Sequence, residues 1–331
     1  MDLAPGYMTF ARLFTQHAYE TVAFGKLHHQ GPDQLQGWLQ RPVCPPDPLL
    51  SRFVEDRDEE GYARYQRPYE DYLWSQAKEV KRAGVGQSQA MIWDGLAVEG
   101  ALSFIEEYFT SPYYDREHPH KPLLLKVSMV QPHYPYLTDR AKFTYYLNRV
   151  RPYLDQEVST HPALIRFQVQ QEIDASEREI RRATAAYYGM IETIDTHYGR
   201  VLDALRNVGQ DPDDWIVIYL SDHGEMLGQH SVWEKQKFYE GSVRVPLVIR
   251  WPRRFVGGSV VNENVNLCDL FATLCDLTGV PAPPGLDSRS LVPLLDGDSS
   301  GWDNETVSQF NDTDLMIKRA HLKYQYCNYS V

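Results

Sequence analysis

The sequence predicts an α/β fold with a mostly parallel central sheet flanked by helices. Three observations carry that prediction. Apolar runs of strand length ("TVAFG", "PLLLKVSMV", "WIVIYL" and "VRVPLVIRW") alternate with stretches of helical periodicity. The "IVIYL" run is unbroken by polar residues, the pattern of a strand covered on both faces. Three of the runs also end in polar residues suited to catalysis, and open α/β sheets bind ligands outside the carboxyl ends of their strands.

In chain order, a short amphipathic helix is expected over about Met8–His17, then a strand over Thr21–Gly25. "RPVCPPDPLL" and "VEDRDEEGYARYQRPYEDY" follow, Pro-rich and then charged, with little periodicity. They read as an excursion from the core, a lid or a pocket wall. The acidic and aromatic residues there suit a cage for a cationic head group, but a solvated surface helix has the same composition and is the plainer reading. "GLAVEGALSFIEEYF" fits a helix, and "PLLLKVSMV" fits a strand ending at Gln131-Pro132-His133. The clearest helix opens with Asp174 or Ser176 as cap and closes at Gly209. It sets Ile180, Ala183, Tyr187, Ile191, Ile194, Tyr198, Val201 and Leu205 on one stripe. A buried strand over Trp215–Leu220, a strand over Val243–Trp251 and a helix around Leu267–Thr278 complete the pattern. No repeat or low-complexity segment occurs. Residues 1–295 are read as one catalytic α/β domain and 296–331 as the start of a truncated C-terminal subdomain.

Composition narrows the function. The 331 residues suffice for a sizeable core, and 43% hydrophobic with 24% charged content is that of an ordinary soluble protein. With 33 Lys+Arg against 45 Asp+Glu the net charge is −12, which repels phosphate backbones and argues against nucleic acid and anionic membranes as partners. No run approaches the roughly 18 apolar residues of a membrane span. "MDLAPGYMTF" lacks a signal-peptide pattern, so a cytoplasmic location is expected. Cys44, Cys268, Cys275 and Cys327 show no metal-ligand spacing and read as reduced thiols, with Cys268 and Cys275 expected on the buried face of one helix.

The three strand ends carry the chemistry. They are Lys26-Leu27-His28, Gln131-Pro132-His133 and Ser221-Asp222-His223. In extended chain Lys26 and His28 point to the same side. A parallel sheet would gather all three ends on one edge, with a metal carboxylate at Asp222, imidazoles and a lysine. Lys235, in "VWEKQKFYEG", adds a second cation. Cations beside a hard metal suit a sulfate or phosphate ester, because they screen its charge and stabilise charge building on the leaving oxygen. Singly, each element has a plain structural reading: a strand-to-loop turn at Asp-His-Gly, a solvated loop at Gly-Lys-x-His, a rigid turn between Pro132 and Pro135.

Together, "YETVAFGKLHHQGPDQLQGW", "MVQPHYPY", "IETIDTHYGRVLDAL" and "SDHGEMLGQHSVWEKQKFYEGSVRVPLVI" resemble successive blocks of the sulfatases, metal-dependent ester hydrolases of the alkaline-phosphatase-like superfamily. The match runs from about Thr9 to about Leu295, and "GKLHHQGPDQLQGW" is most similar to the bacterial choline-sulfatase branch. The resemblance implies an alkaline-phosphatase-like sulfatase fold, incomplete at both ends. It assigns Asp222 and His223 to half of a divalent-metal site, with Ca²⁺ ahead of Mn²⁺ or Mg²⁺. Lys26, His133 and Lys235 match sulfate-binding residues, and His133 also matches a donor of a proton to the leaving group. His28 matches the histidine that contacts the nucleophile and helps expel the alcohol.

The sequence departs from the family at the nucleophile. Sulfatases use a formylglycine made within a Cys/Ser-x-Pro-x-Arg motif, and none occurs here; Cys44 opens "CPPDP" with no arginine following. The family's first strand, with the acidic pair that completes the metal site, is also unmatched. The expected function is therefore a sulfuric ester hydrolase, represented by a fragment with little or no activity alone. A fragment is preferred to a degenerate relative because the remaining active-site positions keep the family residues. The alternatives are a phosphonate monoester or phosphodiester hydrolase of the same superfamily, and a non-catalytic anion-binding relative. The partners implied are a small sulfated or phosphorylated ester and, as an open alternative, further copies of the chain in a homo-oligomer.

Overall fold

The computed structural model describes residues 3, 4, 6–29, 33–43, 76–111, 121–154, 175–235, 237–310 and 314–327. Most of the Pro-rich and acidic excursion, from Cys44 on, and the candidate cap Asp174 lie outside these. The chain divides into two units, Met1–Pro152 with Glu172–Gln210, and Tyr153–Gln171 with Asp211–Val331.

In the first unit, α1 (Phe10–Gln16) begins where the Thr9 hydroxyl accepts the Arg12 amide. It leads into β1 (Glu20–Gly25), whose last five residues are all buried. After α2 (Gln76–Arg82) and the two-residue β2 (Gly84–Val85), α3 (Gln89–Thr110) starts at a Ser88 cap. Next come β3 (Leu123–Ser128), β4 (Leu137–Thr138), α4 (Arg140–Leu147) and the 31-residue α5 (Glu177–Asn207). β1 and β3 pair in parallel from Glu20↔Leu123 to Gly25↔Ser128, and β2 pairs in parallel with β4. Val22 and Phe24 pack on Ala97 and Ala101 of α3, while Ala23 on the opposite face meets Ala11 and Trp38. β1 is thus sandwiched between helices.

The stripe on α5 is largely as expected, with one correction. Ile191 is 41% exposed, and Met190 is fully buried between Ala183 and Ile194 in its place. At 3.6 residues per turn, Met190 is the position that stays in line with Ile194 and Val201. Gly189 is where a neighbour comes closest, since a Cβ there would lie 2.8 Å from the Thr138 side chain on β4.

In the second unit, β5 (Val217–Leu220) and β6 (Leu247–Arg250) are joined through the one-turn α6 (Glu240–Val243). They are followed by α7 (Asp269–Thr278), α8 (Val292–Leu295) and a three-stranded antiparallel sheet of β7 (Glu305–Phe310), β8 (Asp314–Arg319) and β9 (Leu322–Cys327). β5 pairs with β6 antiparallel, from Val217↔Arg250 to Leu220↔Leu247. Among the described residues the connection between them holds no long helix to carry the chain back for a parallel crossover. This corrects the reading of Trp215–Leu220 as a strand covered on both faces. Among the described residues β6 is its one strand neighbour, and Tyr219, Leu220 and Val248 are exposed. The two thiols of α7 are corrected as well, because Cys268 sits at the helix cap and is exposed while Cys275 is buried. Among the described residues no helix is long and apolar enough to cross a membrane.

Candidate functional site

Lys26 follows the last residue of β1, and its amide donates to the Ser128 carbonyl at the end of β3 (3.1 Å). The chain turns there through Gly25 at φ +82°, and a Cβ on Gly25 would lie 1.7 Å from the Ser128 carbonyl oxygen. Only glycine fits this Gly-Lys-x-His corner. His28 is itself left-handed at φ +57°. The alternation argument that placed Lys26 and His28 on one side is therefore corrected, because it needs extended backbone and the strand ends at Gly25. His29, which the sequence reading passed over, is more enclosed. Its Nδ1–H donates to the Gln34 carbonyl (2.9 Å), and burial holds its pKa below the usual histidine value.

His133 stands two residues beyond Gln131, past the end of β3. Its amide donates to the Val130 carbonyl (3.1 Å), closing a turn that contains the cis Gln131–Pro132 bond. Its Nδ1 lies 3.0 Å from the Tyr134 carbonyl. A carbonyl only accepts, so Nδ1 carries the hydrogen and Nε2 is the basic nitrogen of the neutral ring. Two further groups shape this turn, Asp94, which the sequence reading passed over, and Gln131, which it named at the strand end without a role. Asp94, 1% exposed on α3, accepts the amides of Val130 (2.7 Å) and Gln131 (2.9 Å) through its two oxygens. Burial raises its carboxyl pKa to about 6, against the opposing pull of those amides and of the Lys26 charge. The Gln131 side-chain amide is also buried, with no hydrogen-bond partner for either polar atom among the described residues.

The second unit holds Asp222, His223 and Lys235 on one connection between β5 and β6. The Asp222 carboxylate is exposed and accepts the His223 amide (3.1 Å). The His223 Nδ1–H donates to the Gly224 carbonyl (2.9 Å), which leaves Nε2 as the lone-pair nitrogen, 3.9 Å from Asp222 Oδ1. Gly224 donates to the Ser242 carbonyl, and a Cβ on it would lie 2.0 Å from the Gly241 oxygen. The separated glycines of "SDHG" and "YEG" are thus one close backbone contact. The Lys235 backbone is held by the buried Lys237, whose ammonium donates to the carbonyls of Lys235 (2.9 Å) and Trp233 (3.2 Å). Burial lowers the pKa of Lys237. Asp222, His223 and Lys235 line a cavity of about 1260 Å³ that extends toward Glu240, Lys318 and Lys323. Both lysines pair with Glu240, which ties α6 to the C-terminal sheet.

Among the described residues no group of three or more His, Cys, Asp or Glu side chains is placed to hold a metal ion. Asp222 and His223 offer a carboxylate and an imidazole, whereas a hard cation such as Ca²⁺ takes six to eight oxygens. The pair alone does not make such a site.

Comparison with known proteins is consistent across sequence and structure. The sulfatase family pattern matches residues 2–280. A choline-sulfatase of Rhizobium meliloti (strain 1021) is 29% identical over 336 residues, covering 96% of this chain and 63% of its own length. An arylsulfatase of Clostridium perfringens (strain 13 / Type A) is 30% identical over 323 residues, covering 89% of this chain and again 63% of its own length. The crystal structure of a phosphonate monoester hydrolase of Agrobacterium radiobacter superposes with a TM-score of 0.72 at 21% identity, over 98% of this chain and 73% of that one. That likeness shows the alkaline-phosphatase-like α/β fold. The chain spans somewhat less than two thirds of the two curated relatives.

Proposed function

This chain belongs to the sulfatase family, and on that premise we propose that it carries the sulfate-binding and leaving-group residues of a sulfuric ester hydrolase. The supporting observation is the parallel pairing of β1 with β3, from whose neighbouring ends the Lys26 corner and the His133 turn both spring. In this reading Lys26 and Lys235 bind sulfate oxygens and offset their charge. His133 binds the same group through Nε2 and, when protonated, gives that proton to the alcohol oxygen as the S–O bond breaks. His28 contacts the nucleophile and assists expulsion of the alcohol. The attacking group is none of these residues, and no Cys/Ser-x-Pro-x-Arg motif occurs in the chain. Asp222 and His223 are proposed as two donors to a divalent cation, Ca²⁺ ahead of Mn²⁺ or Mg²⁺, that needs further donors.

The proposed substrate is a small sulfate ester. Choline sulfate is the first candidate because the Rhizobium meliloti relative is a choline-sulfatase. Nucleic acid and anionic membranes are opposed by the net charge of −12. A cytoplasmic location is proposed with it, supported by Cys268 and Cys275 standing as free thiols.

Calorimetric titration of the 331-residue chain with choline sulfate, 4-nitrophenyl sulfate and a phenyl phosphonate monoester tests the reading without requiring turnover. Sulfate esters should bind, and K26A, H133A and K235A should each weaken binding roughly tenfold or more, the value of one charge-assisted hydrogen bond. Preference for the phosphonate would move the assignment to phosphonate monoester hydrolysis. Equal affinity in all three variants would overturn it.

A further inference from the structure

Lys26 and His133 were legible as a cation and an imidazole at strand ends, but neither explains what holds the His133 turn in place. The turn leaves β3 at Ser128, carries two cis X–Pro bonds and is closed by the His133 amide on the Val130 carbonyl. Two of its other amides, those of Val130 and Gln131, face a helix. α3 runs alongside with Asp94, Val98, Ala101, Ile105 and Tyr108 on one buried row. Four members of that row are ordinary core residues. Val98 packs on Met129, the residue before the turn, so Asp94, one turn nearer the helix start, meets the next two residues. Its two oxygens take one amide each, 36 and 37 residues away in sequence.

A fully buried carboxylate is costly to place, and packing alone would be served better by a leucine or an asparagine. Its geometry gives it a use. Two amides held by one rigid planar group fix both position and orientation of the first peptide units of the turn. The next residues in chain are Pro132 and His133, with little backbone freedom in between. Lys26 lies close enough for its charge to act on Asp94. One buried carboxylate therefore holds the first peptide units of the turn that carries His133.

We propose that Asp94 is a positioning residue, whose grip on the Val130 and Gln131 amides sets His133 relative to Lys26 for binding the sulfate group. The proposal rests on the sulfatase reading of Lys26 and His133 and adds to it a residue that touches no substrate.

The test compares the full chain with D94N and I105V, using inorganic sulfate as the probe. D94N keeps the shape of the side chain, leaves one acceptor and turns an amide N–H toward the other backbone donor. I105V thins the same buried row three turns on, as a control for simple loss of packing. Three readouts are taken: sulfate affinity by calorimetry, the tautomer and titration of His133 by imidazole ¹⁵N NMR, and hydrogen exchange at Val130 and Gln131. D94N should bind sulfate roughly five- to tenfold more weakly, shift the His133 titration and speed exchange of the two amides about tenfold or more. I105V should change none of these. If D94N binds sulfate and titrates at His133 as the unsubstituted chain does, Asp94 is only structural and the proposal falls. If D94N does not fold, the exchange data on the unsubstituted chain decide, since unprotected Val130 and Gln131 amides would also sink it. K26A and H133A run alongside: if neither weakens sulfate binding, the sulfatase reading fails on its own, whatever Asp94 does to the amides.

Discussion

Asp94 stores a conflict between stability and order that pH should expose. Its folded carboxyl has a pKa of about 6 against an ordinary 3.8 because burial outweighs the two amides and Lys26. A raised folded value means the native state holds its proton more tightly than the unfolded chain. Stability from this group is therefore full below about pH 4 and is lost as pH rises through 6. At 1.36 kcal/mol per pKa unit the whole loss is about 3 kcal/mol, of which about 2 kcal/mol falls between pH 4 and 6. D94N has no such titration, so urea melts should show its stability gaining on that of the unsubstituted chain by about 2 kcal/mol over that interval. A constant difference from pH 4 to 6 would show that the buried carboxyl is not perturbed. Above pH 6 the ionised carboxylate holds the His133 turn at a cost in stability, the balance expected of a group kept for geometry. The sequence reading nominated Lys26, His28, His133, Asp222, His223 and Lys235 because each is a functional type near a strand end or a glycine turn. It passed over Asp94 because the partners of that residue are backbone amides, which have no sequence signature. The available signal was an acid in line with the apolar row Val98, Ala101, Ile105 and Tyr108.

Elements with a complete local code were read nearly to the residue, and α5 is the clearest. Of its two candidate caps, Asp174 and Ser176, the second is realised as a capping box, with Glu179 Oε2 accepting the Ser176 amide (2.7 Å) and Ser176 Oγ accepting the Glu179 amide. The Glu179 pKa is held low first by the Ser176 hydroxyl and then by the Ser176 amide, both donating to its carboxylate. Ser176→Ala removes one half of the box and should destabilise the first unit by about 1 kcal/mol, with Ser176→Gly costing less. Chemical denaturation of both variants checks this, and equal loss in each would mean the cap is not what begins the helix. β1 was legible as a strand, and it packs on helices at both faces. β5 has the same kind of sequence and a different environment, antiparallel to β6 with Tyr219 and Leu220 exposed. An apolar run reports that a strand is suited to burial, whereas what lies beside it depends on the connection to the next strand. The corner at Lys26 to His28 was misread for a related reason. A period-two argument holds only while the backbone stays extended, and Gly25 and His28 both have positive φ.

At the scale of the molecule, cation binding separates what this chain holds from what a sulfatase site requires. Asp222 and His223 are two donors, and no third metal-binding side chain joins them among the described residues. Even calcium modules with complete oxygen shells reach only millimolar affinity when their sites are loose. The net charge of −12 will draw Ca²⁺ to the surface, but at 0.15 M salt that attraction is screened over about 8 Å and belongs to no one residue. The chain should therefore bind Ca²⁺ no tighter than about 1 mM at 0.15 M NaCl. At 1 mM Ca²⁺ such binding stabilises the fold by at most about 0.4 kcal/mol, a Tm shift on the order of 1 °C. Asp222→Ala should leave that small shift unchanged, because it removes one of 45 acidic residues and no formed site. By the same reasoning the chain should not turn over an aryl sulfate, with or without Ca²⁺, since its sequence has no nucleophile motif and no third metal donor joins Asp222 and His223 among the described residues. Thermal melts of the chain and of D222A across a Ca²⁺ series, followed by the aryl sulfate assay, decide the matter together. A shift of several degrees that vanishes in D222A would mean that donors outside the described residues already complete the site around Asp222 and His223. Turnover in that same sample would then make this chain an enzyme in its own right, with a nucleophile other than formylglycine.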